Sequence, residues 1–407
     1  MDRRQFLHAA AGVAAAGIPV PLPAAVDDSL PRARSAIVIG AGIVGASIAW
    51  HLSKAGCEVT LLDRQGPAAQ ASGNSFAWLN ASYFDRPDSY FLLRTSSLAE
   101  WHRVSDTLSF PVSWNGSLEW YHTRAATAEL EEGVSRVQSL GTPARMIDRA
   151  QLAEVEPNLD PGTDLGLLWS PRDGAVDPAA ATAAFISGAA ANGANIVFPG
   201  EVTGLSMTNS GISISTTGDQ LEADIAIVAA GASANGFARM LDLGTDLLKP
   251  ATPGIIVTTR PAPRLINTIG YTTDSHFLQL DDGRIVLGEK AGAPQTESHN
   301  SYLSALPNEY PTEELATEHA RRVIDTASRY VPELMDVEPE RVGVGWRPLP
   351  LDGLPIVGHV PGNSRVYLAA MHSGVTLAPI VGHLATIEIL DRVRALALAD
   401  FRVERFL

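Results

Sequence analysis

Cysteine is almost missing from this chain: Cys57 stands alone in 407 residues. A single thiol closes no internal disulfide and builds no multi-cysteine metal site, so zinc ribbons and iron–sulfur clusters are excluded. No metal site of any other kind is expected from the residue spacing. Cys57 sits in Ala55-Gly56-Cys57-Glu58-Val59, at a helix-to-strand turn, and reads as a small packing residue. Basic side chains are also scarce. Thirty Lys and Arg face 45 Asp and Glu, a net charge of −15, which argues against nucleic acid and anionic membrane as partners, since both need a basic face. Charged residues are only 18% against 45% hydrophobic, too apolar a balance for a disordered chain. Long low-complexity linkers and internal repeats are lacking too. At roughly 100–200 residues per domain, the length predicts two or three domains. Small-molecule chemistry is the starting expectation.

The first 25 residues read as an address, not as fold. Arg3-Arg4-Gln5-Phe6-Leu7 leads into an alanine-rich stretch ending at Gly17, then Pro19, Pro21 and Pro23. This resembles a twin-arginine export signal with small residues near Ala24-Ala25. The apolar run is shorter than the roughly 18–20 residues a membrane helix requires. Residues 1–25 are expected to send the protein to the periplasm or another extracytoplasmic space. Export in the folded state favours a cofactor loaded beforehand. The alternative is an ordinary amphipathic N-terminal tail.

Ser35-Ala36-Ile37-Val38-Ile39 reads as a buried parallel strand. It runs into Gly40-Ala41-Gly42-Ile43-Val44-Gly45 and then an apolar helix. In that setting Gly40 makes a tight turn, Gly42 lets backbone approach a pyrophosphate, and Gly45 lets helix pack on strand. The helix start at Ile43 and Val44 offers N–H groups and a positive dipole end to phosphate. A second strand, Val59-Thr60-Leu61-Leu62, ends at Asp63 and Arg64. A carboxylate about 20 residues past the first glycine accepts hydrogen bonds from ribose hydroxyls and repels a 2′-phosphate, which disfavours NADP. NAD and FAD both remain open on these residues.

Three later stretches carry a resemblance. They are Ala223–Ala232, an apolar strand ending in a glycine turn; Gly345-Trp346-Arg347-Pro348 with Asp352-Gly353; and Met371-His372-Ser373-Gly374-Val375-Thr376. With the glycine fingerprint they make residues 35–392 similar to the FAD-dependent amino-acid oxidoreductases of the D-amino acid oxidase superfamily, which includes glycine oxidase and sarcosine oxidase. The resemblance implies FAD as cofactor. It places Ala71 and Ser72 in a loop beside the pyrophosphate, Val202 against the adenine, and Gly231 in a turn against the FAD. It implies that Arg347 binds the substrate carboxylate, which a planar guanidinium does through two parallel hydrogen bonds. It aims the N-terminus of a last long helix, starting among Ser373, Gly374, Val375 and Thr376, at the flavin ring. His372 beside it is expected to touch flavin or substrate, or to pack. Members that tether FAD covalently use a C-terminal cysteine, so FAD is expected to be noncovalent here.

The substrate side is less legible. Ser275–Gly288 reads as a hairpin with Asp282-Gly283 at its tip, and His276 and Phe277 are candidates for the position where relatives place a tyrosine. Trp78, Asn80 and Tyr83 are weaker candidates. Asp177 with Pro178 reads as a helix start. Tyr90–His102 and Glu313–Arg329 read as surface helices, and Glu129, Glu131 and Glu132 as a solvated helix face. Gly193–Phe198 and Glu201–Gly204 are expected to pair.

The expected fold is α/β. A discontinuous Rossmann-type FAD-binding domain spans 35–88, 155–235 and 340–407. A second, α+β substrate domain on a mostly antiparallel sheet spans 89–154 and 236–339. The expected reaction is oxidation of the C–N bond of a small amino acid or N-alkyl amino acid, with hydride passing to flavin N5 and water hydrolysing the imine. The alternatives are oxidation of a 2-hydroxy acid and a non-catalytic exported flavoprotein. Export makes a respiratory-chain electron acceptor at the membrane an expected partner.

Overall fold

The computed structural model describes residues 26–82, 86–162, 166–250, 252–289 and 307–407. The expected export signal and the candidate Tyr83 lie outside them. Six strands form the first sheet: β1 (Ser35–Ile39), β2 (Glu58–Leu62), β8 (Asn195–Val197), β12 (Ile225–Val228), β18 (Ile356–Val360) and β19 (Asn363–Ala370). Their order is β18-β19-β12-β1-β2-β8. All neighbours run parallel except the edge pair β18–β19. A sheet buried on both faces needs near-continuous apolar strands, and β1 supplies one. Ala36 and Val38 face a helical layer, while Ile37 and Ile39 face the opposite core.

The helical layer contains α1 (Ile43–Lys54), α2 (Asp88–Leu108), α5 (Pro178–Ala191) and α8 (Gly374–Asp391). Trp50 of α1, Phe185 of α5 and Val381 of α8 meet in one buried cluster. Helix α2 belongs to this core and is not the surface helix its spacing suggests. Tyr90, Phe91, Leu93, Arg94, Leu98 and Trp101 are all buried, and each fully buried large apolar side chain contributes about 1.5–3 kcal/mol. Helix α8 is long and apolar enough to cross a membrane, but more than half of it is buried in this core. The other face of the sheet is covered by the meander β9 (Val202–Met207), β10 (Ile212–Thr216), β11 (Gln220–Ala223) and by α6 (Ala234–Met240). Strand β8 pairs with β2, so the expected pairing of Gly193–Phe198 with Glu201–Gly204 does not form.

An eight-stranded sheet stands across from the first. It comprises β4 (Ser117–Trp120), β5 (Arg145–Ile147), β6 (Leu167–Ser170), β13 (Thr252–Thr259), β14 (Ile269–Tyr271), β15 (His276–Gln279), β16 (Ile285–Gly288) and β17 (Pro339–Arg347). The order is β17-β13-β16-β15-β14-β4-β6-β5, and only β14 and β4 run parallel. The predicted hairpin is β15–β16. Helix α7 (Glu313–Ala327) backs the sheet through Val323, Ile324 and Ala327, so it too has a buried face. Helices α3 (Arg124–Ser139) and α4 (Arg149–Val155) flank it, with Glu129, Glu131 and Glu132 exposed on α3. A small ladder of β3 (Trp78–Leu79) and β7 (Gly174–Ala175) bridges the two sheets. The chain crosses between sheets at other points than the sequence boundaries. Leu167–Ser170 and Pro339–Arg347 hydrogen-bond into the eight-stranded sheet, and Asp88–Leu108 packs under the parallel one.

Candidate active site

A cavity of about 630 Å³ opens between the carboxyl ends of four parallel strands and the inner face of the eight-stranded sheet. The parallel side contributes Gly40 after β1, Asp63 after β2, Gly231 after β12 and Met371–Thr376 after β19. The sheet side contributes Ile256, Tyr271, His276 and Arg347. Ligands in open α/β sheets sit at this end, where helix N-termini and loops converge.

The glycine turn is built by close contact. Gly40 has φ +111°, and a Cβ there would lie 2.4 Å from the Ala229 carbonyl oxygen. A Cβ on Gly45 would lie 1.9 Å from the Gly40 carbonyl oxygen. Gly45 is thus the one fingerprint glycine that does not line the cavity; it lets α1 sit against the turn. Helix α1 starts at Ile43 with no acid in its first turn, so its positive end meets the cavity unneutralised. Asp63 Oδ2 accepts from Ala41 N at 2.8 Å, and Oδ1 accepts from Gln65 N and Gly66 N. The carboxylate is therefore fixed at the rim. Ser72 Oγ accepts from Ile43 N at 3.0 Å, closing the Ala71–Ser72 loop over the helix start. Arg64, Val44 and Val202 also line this end.

The far end is cationic. Arg347 ends β17 and donates from Nη2 to the Pro253 carbonyl oxygen at 3.2 Å. Among the described residues no carboxylate pairs with it. Burial lowers its pKa, and Tyr271 acts in the opposite direction; a guanidinium stays charged regardless. Burial also pushes His372 down to about 4, helped by the charges of Arg347, Arg94 and Arg86, so its ring is neutral near pH 7. Helix α8 starts here with Ser373 as N-cap and no acid in its first turn.

Arg94 is the residue sequence reasoning missed. It is 2% exposed and lines the cavity. Its Nε and Nη2 donate to the Asn80 carbonyl oxygen and Oδ1, both at 2.6 Å, and Nη1 donates to Ser373 Oγ at 2.8 Å. Tyr90 donates to the same Oγ at 2.9 Å. Further along α2, Ser97 Oγ and Trp101 Nε1 donate to the Thr376 carbonyl oxygen. The signal was a lone charge within the apolar stripe of α2. Tyr271 was missed by one strand: it pairs directly with His276 across β14–β15, and their rings stack at 5.9 Å. Phe277 points the other way, into the core. Trp78 and Asn80 line the cavity. Trp78 Nε1 donates to Asp173 Oδ2 at 3.0 Å, and Ser117 Oγ donates to the same oxygen at 2.7 Å. Burial raises Asp173 to about 7. Cys57, raised to about 12 by burial, is an inert thiol, and Asp177 caps α5 through Ala179 N and Ala180 N.

Residues 35–386 match the family model described as FAD dependent oxidoreductase. The chain belongs to that family. FAD is its cofactor and oxidoreduction its class of reaction. The chain is 24% identical to glycine oxidase of Geobacillus kaustophilus over 90% of its own length and 96% of that protein's. It is 23% identical to the mitochondrial dimethylglycine dehydrogenase of Homo sapiens, over 82% of this chain and 40% of that longer one. Among solved structures, L-proline dehydrogenase from P. horikoshii superposes with a TM-score of 0.78 at 24% identity, covering 93% of this chain and 98% of that one. The residues fit the cofactor. A cradle that admits no Cβ at Gly40, two helix N-termini without acids and a carboxylate held at the rim are what a dinucleotide's pyrophosphate and ribose require.

Proposed function

We propose that this flavoenzyme oxidises the C–N bond of a small amino acid or N-alkyl amino acid to an imine that water hydrolyses, and that Arg347 holds the substrate carboxylate. The observation that carries this reading is Arg347 itself, a cavity-facing guanidinium whose partner among the described residues is one main-chain carbonyl. A structural arginine would be paired with an acid; this one has donors to spare. The names of two relatives, glycine oxidase and dimethylglycine dehydrogenase, support the amino-acid class.

Gly40, Gly42, Ile43, Asp63, Ala71, Ser72, Val202 and Gly231 would hold the nucleotide half of FAD, noncovalently, with Ser373–Thr376 at its ring. When bound, FAD supplies a two-electron acceptor for the substrate's α-hydride. Arg347 fixes the carboxylate and thereby the direction of the Cα–H bond. The positive start of α8, backed by Arg94, favours negative charge developing at that end. His372 and His276 complete the wall, and with the substrate amine bound in its neutral form no side chain need act as a strong base. Arg347→Ala tests this: kcat/KM for the amino acid falls about 30-fold or more, from the roughly 2–5 kcal/mol that losing one partner of a charge pair costs. Flavin content stays unchanged. Wild-type efficiency in that variant overturns the reading.

We also propose that residues 1–25 export the protein by the twin-arginine route, which favours an electron acceptor in the membrane. Replacing Arg3 and Arg4 by Lys then leaves the flavoprotein in the cytoplasm; undiminished export contradicts it.

A further inference from the structure

Away from the cavity, α1, α2 and α8 bring together His51, Glu100 and His383. One ligand atom from each lies within 4.8 Å of the others. Gly382 makes the approach close, since a Cβ there would lie 2.5 Å from His51 Nδ1 and 2.4 Å from Ser47 Oγ. His51 is 6% exposed. Its Nδ1 lies 2.8 Å from the Ser47 carbonyl oxygen. A carbonyl only accepts, so Nδ1 carries the proton and Nε2 holds a bare lone pair. Nε2 is buried and has no hydrogen-bond partner among the described residues. One ring nitrogen donating to a carbonyl while the other waits bare is the arrangement by which proteins orient a metal-binding histidine.

We propose that His51, Glu100 and His383 bind one divalent cation of the zinc type and so staple the three helices whose ends shape the cavity. Two imidazoles and a carboxylate suit zinc, with water as a fourth ligand. Ligand atoms around a tetrahedral ion at about 2 Å stand about 3.3 Å apart. Glu100 and His383 are both only partly buried and close that gap by side-chain rotation. Glu100 now accepts from Arg103 Nε at 2.8 Å. Arg103, exposed like the nearby Lys54, swings into solvent as the cation takes the carboxylate. At about 1.5 Å per residue, the ion stands roughly 12–14 Å down α1 and α8 from the cavity, so it takes no part in the reaction. Its effect is mechanical: Glu100 lies on the helix whose Ser97 and Trp101 grip Thr376 at the start of α8.

The test uses the full-length, FAD-loaded protein, treated with chelator and then titrated with Co²⁺ and Zn²⁺. One Co²⁺ per chain is expected, with visible ligand-field absorption that Zn²⁺ removes by competition, and a thermal midpoint that rises with Zn²⁺. Glu100→Gln and His383→Ala weaken binding by more than about tenfold and leave the flavin spectrum unchanged. These two lie at half-buried positions, so the outcome does not depend on whether a His51 variant folds. No binding by the wild type, or binding that neither variant alters, would make His51 a packing histidine and overturn the proposal.

Discussion

Arg347, open to the cavity, and Asp173, buried behind its wall, show how differently two ionisable side chains are used. Arg347 keeps unspent donors toward the cavity, whereas Asp173 commits its Oδ2 to Trp78 and Ser117 and holds the wall of the site in place. Its pKa, raised by burial to about 7 from an ordinary 3.8, has a thermodynamic consequence with a definite sign. Between those values the folded protein binds a proton that the unfolded chain has lost, so this group's contribution falls as pH rises from about 4 to 7 and is level above. The slope is at most about 1.4 kcal/mol per pH unit. Asp173→Asn keeps an acceptor for both donors and removes the slope. The stability difference between wild type and variant, measured by denaturant unfolding, should change across about pH 4–7 and be constant above; parallel curves throughout contradict the assignment. Gly40, Gly42 and Asp63 were legible from local spacing and Arg347 from the family resemblance, and all four reach the cavity. Arg94 and Tyr271 were not, because neighbours on other strands and helices give them their roles.

At the scale of elements, α2 decides how the start of α8 is held. Tyr90, Arg94, Ser97 and Trp101 each reach Ser373 or Thr376. Arg94→Met strands the buried acceptors of Asn80 and loosens Ser373, at about 1–3 kcal/mol for each acceptor left unsatisfied. The expected result is a lower unfolding midpoint together with faster loss of flavin on gel filtration; full flavin retention would show that α8 holds its position unaided. The parallel strands, the hairpin at Asp282-Gly283 and the last helix can be read from apolar runs and turn residues. The burial of α2 cannot, because its polar Ser96, Glu100 and Arg103 mask how much of its circumference is covered by α8 and the loop after β3. Nor can the pairing of β8, because short strands carry no register of their own, and β2 supplies the partner.

For the molecule as a whole, the feature to explain is a cavity whose arginines gather at one end, in a protein of net charge −15. Arg347, Arg94 and two helix N-termini without acids in their first turns face this space, which Asp63, Glu201 and Glu289 also line, so negative charge on a bound group is favoured where the arginines stand. Ligating side chains from three distant helices, as at His51, Glu100 and His383, leave no sequence spacing to find, and only the assembled fold brings them together. The central claim is tested most directly by the anaerobic absorption spectrum of the purified flavoprotein as glycine, sarcosine, both hands of alanine and proline, and the matched 2-hydroxy acids are added in turn. Bleaching of the flavin band by one of the amines and not by its hydroxy analogue is the predicted result; bleaching by hydroxy acids alone, or by nothing in the panel, would contradict it.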